Sequence, residues 1–146
     1  METTPRVTNS IFSSKEIETL YNEVLLYYEN DDIDFSGYNL NRNPFLNQLE
    51  EEKGFELQNS MENAETNTLD TFYYTDSFGK IKSLFFHLRN AFAHNRIFRR
   101  TGERTIKIED TDGRRQTMSA TISSFEKLIE IIQEIKKNYN NENKNS

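Results

Sequence analysis

The 146-residue chain is 34% apolar and 12% aromatic with a net charge of -6, a size and make-up that suit one globular domain with one buried core. It contains no cysteine, which excludes a disulfide framework, thiolate metal sites and thiol nucleophiles, and which suits a reducing cytoplasm. The start METTPRVTNS lacks the basic flank and apolar run of a signal peptide, and no stretch reaches the roughly 20 apolar residues of a membrane span, so a cytoplasmic protein without a membrane partner is expected.

Residues 1–12 read as a flexible N-terminus. A helix follows in SSKEIETLYNEVLLYYEN, opened by a capping box of Ser13 with Glu16 and carrying Ile17, Leu20, Tyr21, Val24 and Tyr28 at helical spacing. The turn formers of DDIDFSGYNLNRNP predict a loop, and PFLNQLEEEKG predicts a short helix with Pro44 at its first position and Gly54 at its stop. Residues 55–75 are polar, with scattered Phe55, Leu57, Met61, Leu69, Phe72 and Tyr73, and read as a weak helix or an ordered loop. In DSFGKIKSLFFHLRNAFAHNR, Ile81, Leu84, Phe85, Leu88 and Phe92 form one apolar stripe, which predicts the central helix. TIKIEDTDGRRQTMSATI alternates Ile106 with Ile108, and Met118 with Ala120 and Ile122, about a turn at Asp112 and Gly113, which predicts a small hairpin. The run SSFEKLIEIIQEIKKNY predicts an amphipathic helix with a second capping box, Ser123 with Glu126, and 139–146 read as a disordered tail. The expected fold class is therefore mainly α, one domain over 13–138 with a small hairpin before its last helix.

Charge is unevenly spread. Residues 80–116 hold ten Lys or Arg against four Asp or Glu, a balance of +6 against -12 for the remainder. An anion-binding face on an acidic body fits this, as does pairing between the two halves. At about 100° per residue, Ser83, His87, Asn90 and His94 gather within roughly 60° opposite the apolar stripe of the central helix. Arg89 lies about 140° from His94, so that its side chain must curl, or the helix must loosen near His94, for the two to share a site.

Histidine exchanges protons near neutral pH, arginine binds phosphate oxygens in a fork, and asparagine orients either. Together they suit RNA cleavage by 2′-hydroxyl attack on phosphorus. His87 and His94 stand two turns apart, about 10 Å, without a third ligand at helical zinc spacing, so neither a metal nor another cofactor is expected. Such cleavage wants one group to accept a proton and one to donate it, and a second chain would supply the second histidine. His87 reads either as an RNA contact or as a surface histidine of the polar face. Asn95, Arg96, Arg99 and Arg100 continue past His94 as a basic exit for RNA phosphates. Arg114 and Arg115 read as solvated turn residues or RNA contacts, FYY at 72–74 and YY at 27–28 as core rather than base-stacking groups, and DTDG as a turn rather than a calcium loop.

RNAFAH, residues 89–94, resembles the signature of the HEPN (higher eukaryotes and prokaryotes nucleotide-binding) superfamily, in which arginine, commonly followed by a polar residue, precedes histidine by a short spacer. Arg89, Asn90 and His94 match, and LRNAFAHNR closely resembles small stand-alone prokaryotic members of that family. The match is confined to residues 84–97, with a looser agreement in helix order over 14–138. The resemblance implies an all-helical bundle, with the hairpin as an insertion, and a homodimer in which two motifs form one composite, metal-independent endoribonuclease site. There Arg89 would contact the scissile phosphate, His94 would transfer protons, Asn90 would position them, and a 2′,3′-cyclic phosphate would result. It also implies a toxin or antiphage defence role, with an antitoxin or cognate regulatory protein. The second function class is a catalytically silent helical module that binds a nucleotide, RNA or a partner protein such as a nucleotidyltransferase.

Overall fold

Ser13 forms the capping box expected of it: its backbone N–H donates to Glu16 Oε1 at 2.9 Å, and its Oγ accepts from the Glu16 N–H at 3.1 Å. The computed structural model describes residues 12–29, 44–100 and 102–145, the side chains of 44, 45 and 138–145 excepted. Most of the segment read as a flexible N-terminus (1–11) and most of the loop after the first helix (30–43) lie outside these described residues. Phe12, at the end of the first of these, is buried and packs on Phe125 with ring centroids 6.2 Å apart.

Helix α1 comprises Ser14–Leu20, a π-helical stretch Tyr21–Leu26, and Tyr27–Glu29. The π stretch buries Val24 and packs against the central helix, α3 (Lys80–Ala93). Between them in sequence, α2 (Pro44–Lys53) begins at its proline and stops at Gly54, whose φ of 69° is the left-handed conformation that glycine adopts without a Cβ penalty. The last helix, α4, runs Phe125–Asn145, so its backbone continues through the stretch read as a tail. Its N-cap is one residue later than expected: Ser124 Oγ accepts from the Lys127 N–H at 3.0 Å, while the Ser123 N–H donates to Asp70 Oδ1 at 2.8 Å.

The helices do not make a bundle. Strands β1 (Glu56–Gln58), β2 (Thr71–Tyr74), β3 (Ile97–Phe98), β4 (Ile106–Asp112) and β5 (Arg115–Ile122) form one mixed sheet in the order β1-β2-β5-β4-β3. Strands β1 and β2 are parallel and the other pairs antiparallel. The mainly α expectation, and with it the helical bundle, is overturned: this is an α/β fold, and the expected hairpin is β4–β5, with β5 the middle strand rather than part of an insertion. The physical reason lies in residues 55–75. All four residues of β2 are buried, so no apolar–polar alternation marks it, and β1 is three residues long.

Helix α3 lies against β4 and β2, α4 against β5 and α2, and α1 against α3 and α4. One continuous core results, which includes Phe72, Phe85, Leu88, Ile108, Met118 and Ile132. Among the described residues no helix is long and apolar enough to cross a membrane.

If residues 71–74 are an inner strand, Phe72→Ala should lower unfolding free energy by about 3–5 kcal/mol, measured by urea denaturation. A change within about 0.5 kcal/mol would place that segment on the surface instead.

Candidate functional site

Helix α3 is buried on two sides. Its apolar stripe faces α1, and the side expected to be an open polar face is also covered, with Ser83 and His87 1% and 4% exposed. Ser83 Oγ accepts from the N–H groups of Ser77 (3.0 Å) and Phe78 (2.9 Å) and donates to Asp76 Oδ1 (3.2 Å), tying the preceding turn to the helix.

His87 meets the sheet. Its Nδ1 lies 2.8 Å from Asp110 Oδ2, and its Nε2 lies 2.9 Å from the Thr75 carbonyl oxygen and 3.2 Å from Thr75 Oγ1. Both ring nitrogens are engaged and the ring is buried, so the structure fits neither an RNA contact nor a surface histidine. Asp110 follows Ile106 and Ile108 on the inward side of β4, 3% exposed, at a register shift between Asp110 and Thr111. Such a bulge re-aims a side chain. Its Oδ1 accepts from the Thr111 N–H at 2.9 Å, and its Oδ2 also accepts from Asn90 Nδ2 at 3.2 Å. Burial alone would raise the Asp110 pKa, but hydrogen bonds from His87 and Asn90, the charge of His87 and the Thr111 N–H together hold it below the ordinary carboxylate value.

The Asp110 bond orients the Asn90 amide, because Nδ2 must face the carboxylate and Oδ1 then faces outward. Arg89 Nη1 donates to that Oδ1 at 3.0 Å, and Arg89 Nε donates to Glu29 Oε2 at 2.6 Å. A continuous chain of polar contacts thus runs from Thr75 through His87, Asp110, Asn90 and Arg89 to Glu29. Arg89 is 34% exposed, and only two of its five N–H donors are used among the described residues.

His94 stands at the end of α3, where the helix stops. It is the C-cap, with φ -105° and ψ 15°. Asn95 takes the left-handed conformation, φ 58°, and its N–H donates to the Phe92 carbonyl at 3.3 Å while the Arg96 N–H donates to the Ala91 carbonyl at 2.7 Å. This is a Schellman cap with asparagine in the usual glycine position. The His94 side chain is exposed and has no hydrogen bond or ion pair among the described residues.

The rest of the expected basic exit divides. Arg99 makes a two-pronged ion pair with Glu16 (Nη2 to Oε1 2.8 Å, Nη1 to Oε2 3.1 Å) and lies 4.5 Å from the Phe12 ring centroid. The Arg99 hydrogen bond is the largest cause holding the Glu16 carboxyl below its ordinary pKa. Arg96 is half-buried beside β4 and Arg100 is exposed. Structure therefore joins Arg89, Asn90 and His87, sets His94 at the adjoining helix end, and draws Arg99 to α1. Reading of the sequence missed Asp110, Glu29 and Thr75; an aspartate in phase with Ile106 and Ile108 was the available signal for the first.

An open groove of about 760 Å³ lies between the start of α1 and α4, lined by Arg99 but not by Arg89, Asn90 or His94. Glu16, Glu126, Glu130 and Glu134 line it together with Lys15 and Arg99, a net negative lining that disfavours phosphate. Among the described residues no group of three or more His, Asp or Glu side chains gathers that could hold a metal.

Asp110→Ala leaves buried His87 and the half-buried Asn90 amide without their acceptor and should cost about 3–5 kcal/mol at pH 7. Because the folded-state pKa of Asp110 is depressed, its contribution is present above the ordinary carboxylate pKa and lost as pH falls through the folded value. The stability gap between wild type and variant should accordingly close below about pH 4, which urea denaturation across pH 2–7 would show.

Set against models of known families, against curated proteins and against solved structures, the chain matches none.

Proposed function

We propose that the chain is a metal-independent endoribonuclease of HEPN type that works as a homodimer. The observation that carries this reading is the exposed His94 imidazole, without a hydrogen bond or ion pair among the described residues, at the end of the helix that also holds Arg89 and Asn90 in a fixed arrangement. Support comes from the motif and its local geometry. The architecture lends none, because the five-stranded sheet departs from the bundle that the resemblance implied.

In the proposed reaction, His94 takes the proton of the RNA 2′-hydroxyl as its oxygen attacks the adjoining phosphorus. The new P–O2′ bond forms, the P–O5′ bond breaks, and a second acid protonates the leaving 5′-oxygen, giving a 2′,3′-cyclic phosphate and a 5′-hydroxyl. Free donors on Arg89 stabilise the charge that develops on the non-bridging oxygens. His87 is not available as the second acid, since both of its ring nitrogens are bound inside the protein. The remaining histidine for this role is the partner's His94, and on this reading the site is complete only in the dimer. A cytoplasmic toxin or antiphage defence effector, restrained by an antitoxin or regulatory protein, is the setting such an activity suits.

A second reading, a silent module that binds a nucleotide, RNA or a protein partner, is favoured by the Arg89–Glu29 ion pair, which occupies the guanidinium with an internal anion. Incubation of labelled RNA with wild type, His94→Ala and Arg89→Ala in excess EDTA separates the two. The ribonuclease reading expects cyclic-phosphate ends from wild type and a loss of about 10²–10⁴-fold in rate for His94→Ala. No cleavage of a mixed RNA pool by folded, dimeric wild type would leave the silent module.

A further inference from the structure

Three aromatic side chains form a row near Arg89, running from exposed Phe78 through Phe86 to Tyr28, which packs on the edge of the core. Phe78 is 49% exposed, and its backbone is held: its N–H donates to Ser83 Oγ at 2.9 Å, and the Gly79 N–H to Asp76 Oδ1 at 2.9 Å. Its ring meets Phe86 edge-on at 5.1 Å between centroids, and Phe86 in turn meets Tyr28 of α1 at 6.1 Å. Phe86 and Tyr28 are half-buried. Lys82 Nζ stands 5.6 Å from the Phe78 ring centroid. Lys82, Phe86 and Arg89 follow one another at helical spacings of four and three, on one face of α3. At the other end, Glu29, the neighbour of Tyr28, holds Arg89, whose charge also acts on the Tyr28 hydroxyl.

An exposed phenylalanine held in place costs little entropy to use on binding. Rings interleaved with cations suit a ligand that has flat faces and negative charge together. Of the carboxylates nearby, Glu29 is offset by Arg89, which keeps further N–H donors for a ligand, and both oxygens of Asp76 are engaged by Gly79, Ser83 and Asn59, so that Lys82 is the main cation of the row.

We propose that Phe78, Phe86 and Tyr28, flanked by Lys82 and Arg89, form a platform for single-stranded RNA, on which unpaired bases stack while backbone phosphates meet the two cations. The choice of RNA rests on the ribonuclease reading. Double-stranded RNA hides its base faces and does not fit the platform.

The chain has no tryptophan, so Phe78→Trp introduces a single indole at the tip of the platform, whose emission can be excited to the red of the seven tyrosines. In the full chain carrying His94→Ala, to prevent cutting, a ten-nucleotide single-stranded RNA of mixed sequence should quench that fluorescence, and the same sequence as a duplex should not. In the same background, Phe78→Ala should weaken binding of the single strand about tenfold, with Phe78→Tyr close to the parent. Absence of quenching, or an affinity of Phe78→Ala within twofold of the parent, would overturn the platform. So would conversion of a dimer to a monomer by Phe78→Ala in light scattering, which would assign this face to a second copy of the chain. Cleavage by the protein with His94 restored separates the two readings. Platform binding without cleavage removes the ribonuclease and keeps the platform, whereas cleavage with an unchanged KM in Phe78→Ala removes the platform alone.

Discussion

Asp110 sits where the alternation of β4 calls for a third apolar residue, and a carboxylate there is tolerable only if its oxygens are fully engaged. An unpaired buried charge would cost several kcal/mol. The chain meets that demand with His87 and Asn90 from α3 and with the Thr111 N–H at the strand bulge. Each of these contacts constrains something further out. His87 ties the helix to the Thr75 carbonyl at the end of β2, and Asn90, with its amide direction fixed, presents an oxygen to Arg89. Removal of one buried charge would therefore loosen the join between helix and sheet and the orientation of the motif arginine together.

This arrangement divides α3 along its length. Through Ala91 the helix is gripped on two sides, by α1 and by the sheet, and its polar residues serve that packing. Beyond it the chain turns outward through a Schellman cap, and His94 is exposed at the turn. Arg89 is thus fixed by Asn90 and Glu29 at the edge of the packed part of the helix, while His94, one turn on, makes no hydrogen bond or ion pair among the described residues.

Pairing between the acidic and basic parts of the chain explains some of the charge asymmetry. Arg99 goes to Glu16 and Arg89 to Glu29, so two cations of the basic segment fasten it to α1. Aromatic residues divide in a similar way. Phe72, Tyr73 and Tyr74 are core, as their composition suggested, whereas Phe78, with no periodic pattern to mark it, stays outside. Its exposure depends on a turn whose hydrogen bonds involve Asp76 and Ser83, seven positions apart in sequence.

Local signals carried much of this protein in the sequence alone: the Ser13 capping box, the proline start of α2 and its glycine stop, the stripe of α3, the β4–β5 hairpin and the amphipathic run of α4 all depend on residues within a few positions of one another. Those are the distances over which periodicity and capping act. The motif Arg89, Asn90 and His94 was legible for the same reason. Short strands β1 and β2 were not, because a three-residue strand has no period and a strand buried on both faces does not alternate. Nor was the fate of the polar side of α3 legible, since helical spacing tells which residues share a face but not what packs against it. Only the tertiary structure brought Asp110, 20 positions from Asn90 and 23 from His87, under that face, and so decided that His87 is held inside while His94 is left to solvent.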